Sequence, residues 1–219
     1  ETTDLRKTRT SEKLSTLRSR EMLGETSLMK IIDNITTPAN AAHLKHLLLG
    51  EPWYYLKSTA YNDDDSTGGI PFESSWILMI YDNKEIMSPL MHLAHSILVK
   101  ALHEQNLTMS ELIRIRAGFT TRTPEPFTHA PHVDWDVEHM SGLYYLNDSD
   151  GDTIFYNDKQ DPGLEESSFD FSQNREFTVD QTVTPKADRF VLFDGDTFHS
   201  STSPTKNDYR IVLNYNWLP

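Results

Sequence analysis

The sequence predicts a mainly β protein, a sandwich, jelly roll or barrel with helices packed on one sheet, and three observations carry that prediction. From residue 111 onward, short apolar or alternating runs recur at even spacing between Gly-, Asp- and Pro-bearing turns, the signature of sheets that wrap into a closed or stacked architecture. The two clear helix-like stretches precede that region, which predicts helices buttressing one face of the sheets. The last run, residues 209–217, alternates with period two: Tyr209, Ile211, Leu213, Tyr215 and Trp217 fall on one face and Arg210, Val212, Asn214 and Asn216 on the other. The first face is wholly apolar or aromatic and must be buried, against the helices.

Length and composition set the outer bounds. At 219 residues the chain suits one domain with a proper core, here read as residues 26–219, with helices and first strands in 26–110 and the β core in 111–219. Residues 1–25 are polar and mildly basic and read as an arm, within which Ser11 is placed to cap a short helix bearing Leu14, Leu17 and Met22. A net charge of −13 disfavours broad binding to a phosphate backbone. With no cysteine, disulfides and thiolate metal sites are excluded, so any metal must be held by His and carboxylate. No apolar run is long enough to span a membrane, and the N-terminus shows no apolar signal segment. A cytoplasmic protein without membrane partners is the expectation.

The elements follow in order. Residues 28–32 read as a strand. Pro38–Leu49 reads as a helix closed by Gly50 in the C′ position. Its His43 and His46 lack a neighbouring carboxylate and are read as ordinary surface residues. Residues 53–57 read as a strand, 62–69 as a polar loop, and 76–81 as a short buried strand. Ser88-Pro89 opens a helix through about Glu104, Ser as cap and Pro in the first turn, with His92 and His95 as core or rim residues. Further strands are expected at 111–117, 127–135, 142–147, 153–156, 177–185, 189–193 and 209–217. Asp148-Ser-Asp150-Gly-Asp152 imitates a calcium loop, but no Glu stands at loop position 12 and a strand follows, so it is read as a hairpin turn.

The chemistry is concentrated at His132-Val133-Asp134. In an extended segment His132 and Asp134 point the same way and Val133 points into packing. One imidazole and one carboxylate side by side make two-thirds of a facial metal site, the type used by non-haem Fe(II) oxygenases. Taken alone, the triplet is a weak signal, and a surface strand whose His and Asp hydrogen-bond each other accounts for it better. His199 follows the apolar run 190–193 and the turn Asp194-Gly-Asp196, which places it past a strand end at a barrel mouth, as the third ligand. The plain alternative is a loop histidine. On the last strand, Arg210 falls on the face opposite the aromatic one. An exposed sheet face would account for it. In a closed jelly roll that face lines the interior, where a guanidinium needs an anion and suits a carboxylate.

These residues carry a resemblance. His132-Val-Asp134, Gly142-Leu-Tyr-Tyr-Leu-Asn147, Gly151-Asp-Thr-Ile-Phe155, the run from Val183 to Phe193, His199 and Tyr209-Arg-Ile-Val-Leu-Asn214 resemble, in order and spacing, the 2-oxoglutarate/Fe(II)-dependent oxygenases, particularly their prolyl 4-hydroxylase-type branch. The resemblance covers residues 112–217 and implies a double-stranded β-helix (jelly roll, cupin-like) core. It implies Fe(II) held by His132, Asp134 and His199, with 2-oxoglutarate and O2 as co-substrates. Arg210 would hold the distal carboxylate of 2-oxoglutarate, Tyr145 would hydrogen-bond the same group, and Asn214 would contact the co-substrate or a water. Oxidative decarboxylation to succinate and CO2 would be coupled to hydroxylation of a peptidyl substrate, such as a prolyl residue, or of a small molecule. Arg116, His129 and Trp135 are expected on the substrate side. Arg116 and His129 replace the tyrosines often found before the triad, and Asn216 stands where prolyl hydroxylases have Trp. Two other readings compete: a non-catalytic cupin-like metal- or anion-binding jelly roll, and a nucleic-acid demethylase of the same fold. The second is disfavoured by the acidic charge and by Asn216 where a second Arg is usual.

Overall fold

The computed structural model describes residues 28–57, 74–135, 137–160 and 176–219. The arm at 1–25 with its Ser11 helix, and the loop at 62–69, lie outside the described residues. Eleven strands and two helices are described: β1 (Met29–Asp33), α1 (Pro38–Leu49), β2 (Tyr54–Leu56), β3 (Ser75–Asp82), β4 (Glu85–Ile86), α2 (Met91–Glu104), β5 (Glu111–Thr121), β6 (Met140–Tyr145), β7 (Thr153–Lys159), β8 (Val179–Val183), β9 (Arg189–Asp194), β10 (Thr197–Ser201) and β11 (Tyr209–Leu218). They form two antiparallel sheets. The major sheet runs β1-β9-β6-β11-β5-β3-β2, with β4 beside β3, and the minor sheet runs β10-β7-β8. Among the described residues no helix is long and apolar enough to cross a membrane.

β11 organises the major sheet because its two faces are unlike. Ile211, Leu213, Tyr215 and Trp217 join a core with Leu44 and Leu48 of α1 and Ala94, Ile97, Leu98 and Ala101 of α2. The Tyr215 hydroxyl donates to the Ala94 carbonyl at 3.0 Å, which satisfies a phenol buried among apolar groups. Val212, on the other face, joins a second cluster with Leu143, Tyr145, Phe155, Val191 and Phe193 between the sheets. Gly142 on β6 is where the major sheet meets its aromatic layer: a Cβ there would stand 2.7 Å from the Phe190 ring.

Several expected elements shift. Thr37 caps α1, accepting from the Asn40 amide at 3.1 Å, with Pro38 in the first turn. Gly50 closes the helix as expected, but as the C-cap itself, in the right-handed region at φ −87°, ψ −10°, rather than at C′. Ser88 does not cap α2. Its hydroxyl accepts from the Leu90 amide two residues on, forming a local turn, and the helix begins at Met91. β3 is not buried throughout: Leu78 and Ile80 are covered, but Trp76 near the sheet edge is 39% exposed. Residues 127–135 do not form a continuous strand. They are extended but meet the neighbouring chain only at isolated bridges, Thr128 with Thr202 and His132 with His199. Pro126 and Pro131, which have no amide proton, interrupt that ladder.

The acidic segment is a structural turn but not the hairpin expected: it carries the chain from β6 of the major sheet to β7 of the minor sheet, which do not pair. Asp150 accepts the amides of Thr205, Lys206 and Asn207 and the Thr205 hydroxyl, tying the β6–β7 turn to the loop before β11. These donors outweigh burial and hold its carboxyl well below the ordinary range.

Candidate metal centre and its chamber

The two histidines meet because their backbones meet. His132 and His199 exchange both peptide hydrogen bonds, each 2.9 Å long. Residues paired this way project side chains to one face, and the two rings lie 4.7 Å apart, centre to centre. His199 belongs to β10, in register with Phe155 of β7, and its ring is walled by Phe155 and Phe193 at 6.1 and 5.0 Å. It is therefore not a loop residue past a strand end: the turn at Gly195 carries the chain from one sheet to the other, and a new strand starts at once. Asp134, two residues beyond His132, turns to the same side. One ligand atom from each of His132, Asp134 and His199 lies within 4.8 Å of the others, the only such cluster among the described residues.

Second partners fix the ligands. His132 Nδ1 lies 3.1 Å from the Ala130 carbonyl and His199 Nδ1 lies 3.1 Å from the Thr197 carbonyl. A carbonyl can only accept, so in each ring Nδ1 carries the proton and Nε2 keeps its lone pair, the arrangement of metal-binding histidines. Burial, reinforced by the facing His199, pushes His132 down to about 4, against the pull of Asp134. Burial likewise lowers His199. Both imidazoles are neutral at pH 7 and available as donors.

Asp134 receives four donors: the Ser141 hydroxyl (3.0 Å), Asn214 Nδ2 (3.0 Å) and Asn216 Nδ2 (2.9 Å) on Oδ2, and Arg114 Nη2 (3.1 Å) on Oδ1. Burial by itself would raise this carboxyl. The facing His199, Arg114 and His132 outweigh it and hold the group well below the carboxylate range. Arg114 is braced in turn by Asn216 Oδ1 at 3.0 Å and lies over the Trp135 ring at 5.5 Å.

A chamber opens beside the centre, lined among others by His132, His199, Ile77, Arg116, Leu143, Thr153, Arg210 and Asn214. At its far end Arg210 is 5% exposed. Its Nη2 donates to Thr153 Oγ1 at 2.8 Å, the same oxygen that accepts from the Tyr145 hydroxyl at 2.7 Å. Its guanidinium lies over the Tyr145 ring at 5.4 Å, and its buried Nε has no partner among the described residues. Burial lowers the Arg210 pKa, partly offset by Tyr145 and Asp152. A buried cation with an unused donor fits an anion. Two imidazoles and a carboxylate, with no sulfur, fit Fe(II) or a similar ion.

The expected site residues fare differently. His132, Asp134 and His199 converge, and Arg210 lines the chamber with Tyr145 packed behind it, outside the lining. Asn214 lines the chamber, but its amide is spent on Asp134. Arg116 lines the chamber as well. His129 is 1% exposed, sits against Ser203 Oγ at 3.3 Å, and does not line the chamber. Trp135 also stands outside it, beneath Arg114. Sequence reasoning missed the roles of Arg114, Ser141 and Asn216 around Asp134. The alternation of β5, which pairs Arg114 with Asn216 and Arg116 with Asn214, carried the signal for Arg114.

No protein-family model matches the sequence, and no curated protein does. Solved structures do match in fold. An oxidoreductase of the 2OG-Fe(II) oxygenase family from Burkholderia pseudomallei aligns with a TM-score of 0.59 at 11% identity, over 87% of this chain and 84% of its own. The epimerase SnoN from nogalamycin biosynthesis, in complex with Fe3+, alpha ketoglutarate and nogalamycin RO, aligns with a TM-score of 0.62 at 14% identity, over 88% and 79%. A prolyl-4-hydroxylase from Pseudomonas putida gives 0.51 at 14%, over 89% and 94%. The fold is thus the double-stranded β-helix of 2-oxoglutarate/Fe(II) oxygenases. An epimerase and a prolyl hydroxylase share it at equal identity, so the fold selects no branch.

Proposed function

We propose that this protein is an Fe(II)- and 2-oxoglutarate-dependent dioxygenase, with residues 26–219 forming one catalytic domain. The observation that carries the reading is the pairing, in one chamber, of the His132–Asp134–His199 cluster with Arg210, whose buried Nε is unspent. His132 and His199 would offer Nε2, and Asp134 a carboxylate oxygen, to the ion. Iron bound there, with the keto acid and O2, would supply the oxidising power that yields succinate, CO2 and an oxidised substrate C–H.

The chain's own part is binding, orientation and exclusion of water. Arg210 grips the distal carboxylate, with Tyr145 and Thr153 setting the angle of the guanidinium. Leu143 and Val212 form dry walls, which strengthen each polar contact inside. Asn214 acts through Asp134 rather than on the keto acid. Arg116 faces the substrate, a peptidyl residue or a small metabolite, while His129 and Trp135 support the walls from behind. The prolyl 4-hydroxylase branch rests on the motif resemblance alone.

The test is anaerobic addition of Fe(II) and 2-oxoglutarate. A visible metal-to-ligand absorption band, followed by succinate on admission of O2, is the expected result. Metal and keto acid bound with neither signal would instead favour the non-catalytic binder.

A further inference from the structure

Arg116 is the one guanidinium of the chamber with nothing to hold. Arg114 is paired with Asp134 at 3.1 Å, and Arg210 is bonded to Thr153 and feels Asp152. Arg116 makes no hydrogen bond and no ion pair among the described residues, although it lines the chamber beside His132, His199 and Asn214. It is half-buried. Burial lowers its pKa to about 10, helped by Arg114 and opposed by Asp134, so it stays charged at pH 7. Among the described residues, none that lines the chamber is acidic.

Charge accounting gives this cation a meaning that rests on the dioxygenase reading. A divalent ion and Arg210 face a doubly charged keto acid and Asp152. Asp134 is the ligand carboxylate, and Arg114 already answers its charge. These charges cancel, so the charge of Arg116, at the metal end of the chamber, is left over. An unpaired cation at low dielectric is costly, and the cost is relieved by an anion. β11 separates the two arginines: Arg116 is in register with Asn214, and Arg210 lies four residues away along that strand. At roughly 3.4 Å per residue their backbones stand about 14 Å apart along the strand direction, so each can serve a different anionic group.

We infer that Arg116 is a receptor for an anionic oxygen group, a carboxylate or phosphate, carried by the primary substrate, which is therefore an acidic molecule or acidic side chain rather than a neutral prolyl residue. The guanidinium forks onto that group and holds the adjacent C–H beside the metal. The keto acid's own metal-proximal carboxylate has the same chemistry, and the experiment separates the two sources.

Wild-type protein and the variants Arg116→Gln and Arg116→Lys are loaded with Mn(II) and saturating 2-oxoglutarate, then titrated with matched pairs: L-glutamate against L-glutamine, and glycerol 3-phosphate against glycerol. Binding is read by melting temperature and tryptophan fluorescence, and circular dichroism checks the fold of each variant. The expected result is that an acidic member binds the wild type, its neutral partner does not, and Arg116→Gln weakens that binding at least tenfold, with Arg116→Lys between. The affinity for 2-oxoglutarate should change less than twofold. Acids binding no better than their neutral partners, or equally well to Arg116→Gln, would overturn the inference. So would a tenfold loss of 2-oxoglutarate affinity in Arg116→Gln, which would assign the contact to the keto acid. The same titrations without metal or keto acid isolate the underlying reading. Arg116-dependent anion binding in a protein that takes up neither Mn(II) nor 2-oxoglutarate would keep the receptor and remove the dioxygenase.

Discussion

Arg114 reaches Asp134 across 3.1 Å, with the two side chains 13% and 1% exposed. With Ser141, Asn214 and Asn216 it completes four donors on a carboxylate that offers about four lone-pair sites. A metal ion arriving at Asp134 must displace one of them, and Arg114 brings a competing positive charge. Arg114→Gln should therefore tighten Mn(II) binding by about tenfold, equivalent to ~1.4 kcal/mol, while lowering the melting temperature of the metal-free protein, whose buried carboxylate loses its counter-charge. Calorimetric titration and thermal melts measure both. Weaker metal binding would show that Arg114 orients the carboxylate instead of competing for it.

Arg210→Ala removes the cation but leaves Tyr145 and Thr153 bonded to each other. Loss of a desolvated, charge-assisted pair amounts to a few kcal/mol, so the apparent KM for 2-oxoglutarate should rise by roughly one to three orders of magnitude. Steady-state succinate release checks it, and an unchanged KM would place the anchor elsewhere.

His199→Ala should abolish metal binding. The ring is also packed between Phe155 and Phe193, so the variant should lose some stability as well, about 1–3 kcal/mol for a buried truncation of this size. Retained metal affinity in a folded variant would remove His199 from the cluster.

The pH dependence follows from the buried imidazoles. His132 is held down to about 4 in the folded protein, whereas an unfolded chain's histidine titrates near ~6.5. Between those values the unfolded state binds more protons, so stability rises with pH. His199 shifts in the same direction. The contribution is complete above pH ~6.5 and is lost as pH falls toward the folded value. Asp134, also depressed, adds a loss at still lower pH, once the medium is acidic enough to protonate unfolded carboxyls. Urea midpoints of chelator-treated protein between pH 8 and pH 4 should fall on the acid side, and His132→Asn should flatten that fall. An equal slope in the variant would trace the effect to other groups.

Much of this was legible in the sequence, for identifiable reasons. β11 announced both its faces because a clean period of two separates aromatic from polar residues. His132 and Asp134 could be placed together because two residues of extended chain suffice. β10 was illegible: Thr-Phe-His-Ser-Ser lacks an apolar alternation, it pairs with β7 in the minor sheet rather than with the strand before it, and only the turn at Gly195 marked its start. Arg114 escaped because its meaning lies in Asp134 and Asn216, contacts set by sheet register rather than by any local pattern. The start of α2 went astray because Ser88 spent its hydroxyl on a local turn, whereas α1 begins at Pro38 as expected.

The mutual peptide bonding of His132 and His199 has a kinetic consequence. Those two amide protons are shielded only while the Pro-interrupted segment lies against β10. An ion gripping both rings would act as a clasp over that seam. How long a metal stays should therefore be written into the solvent-exchange lifetimes of two peptide protons, which makes the backbone itself a reporter of occupancy.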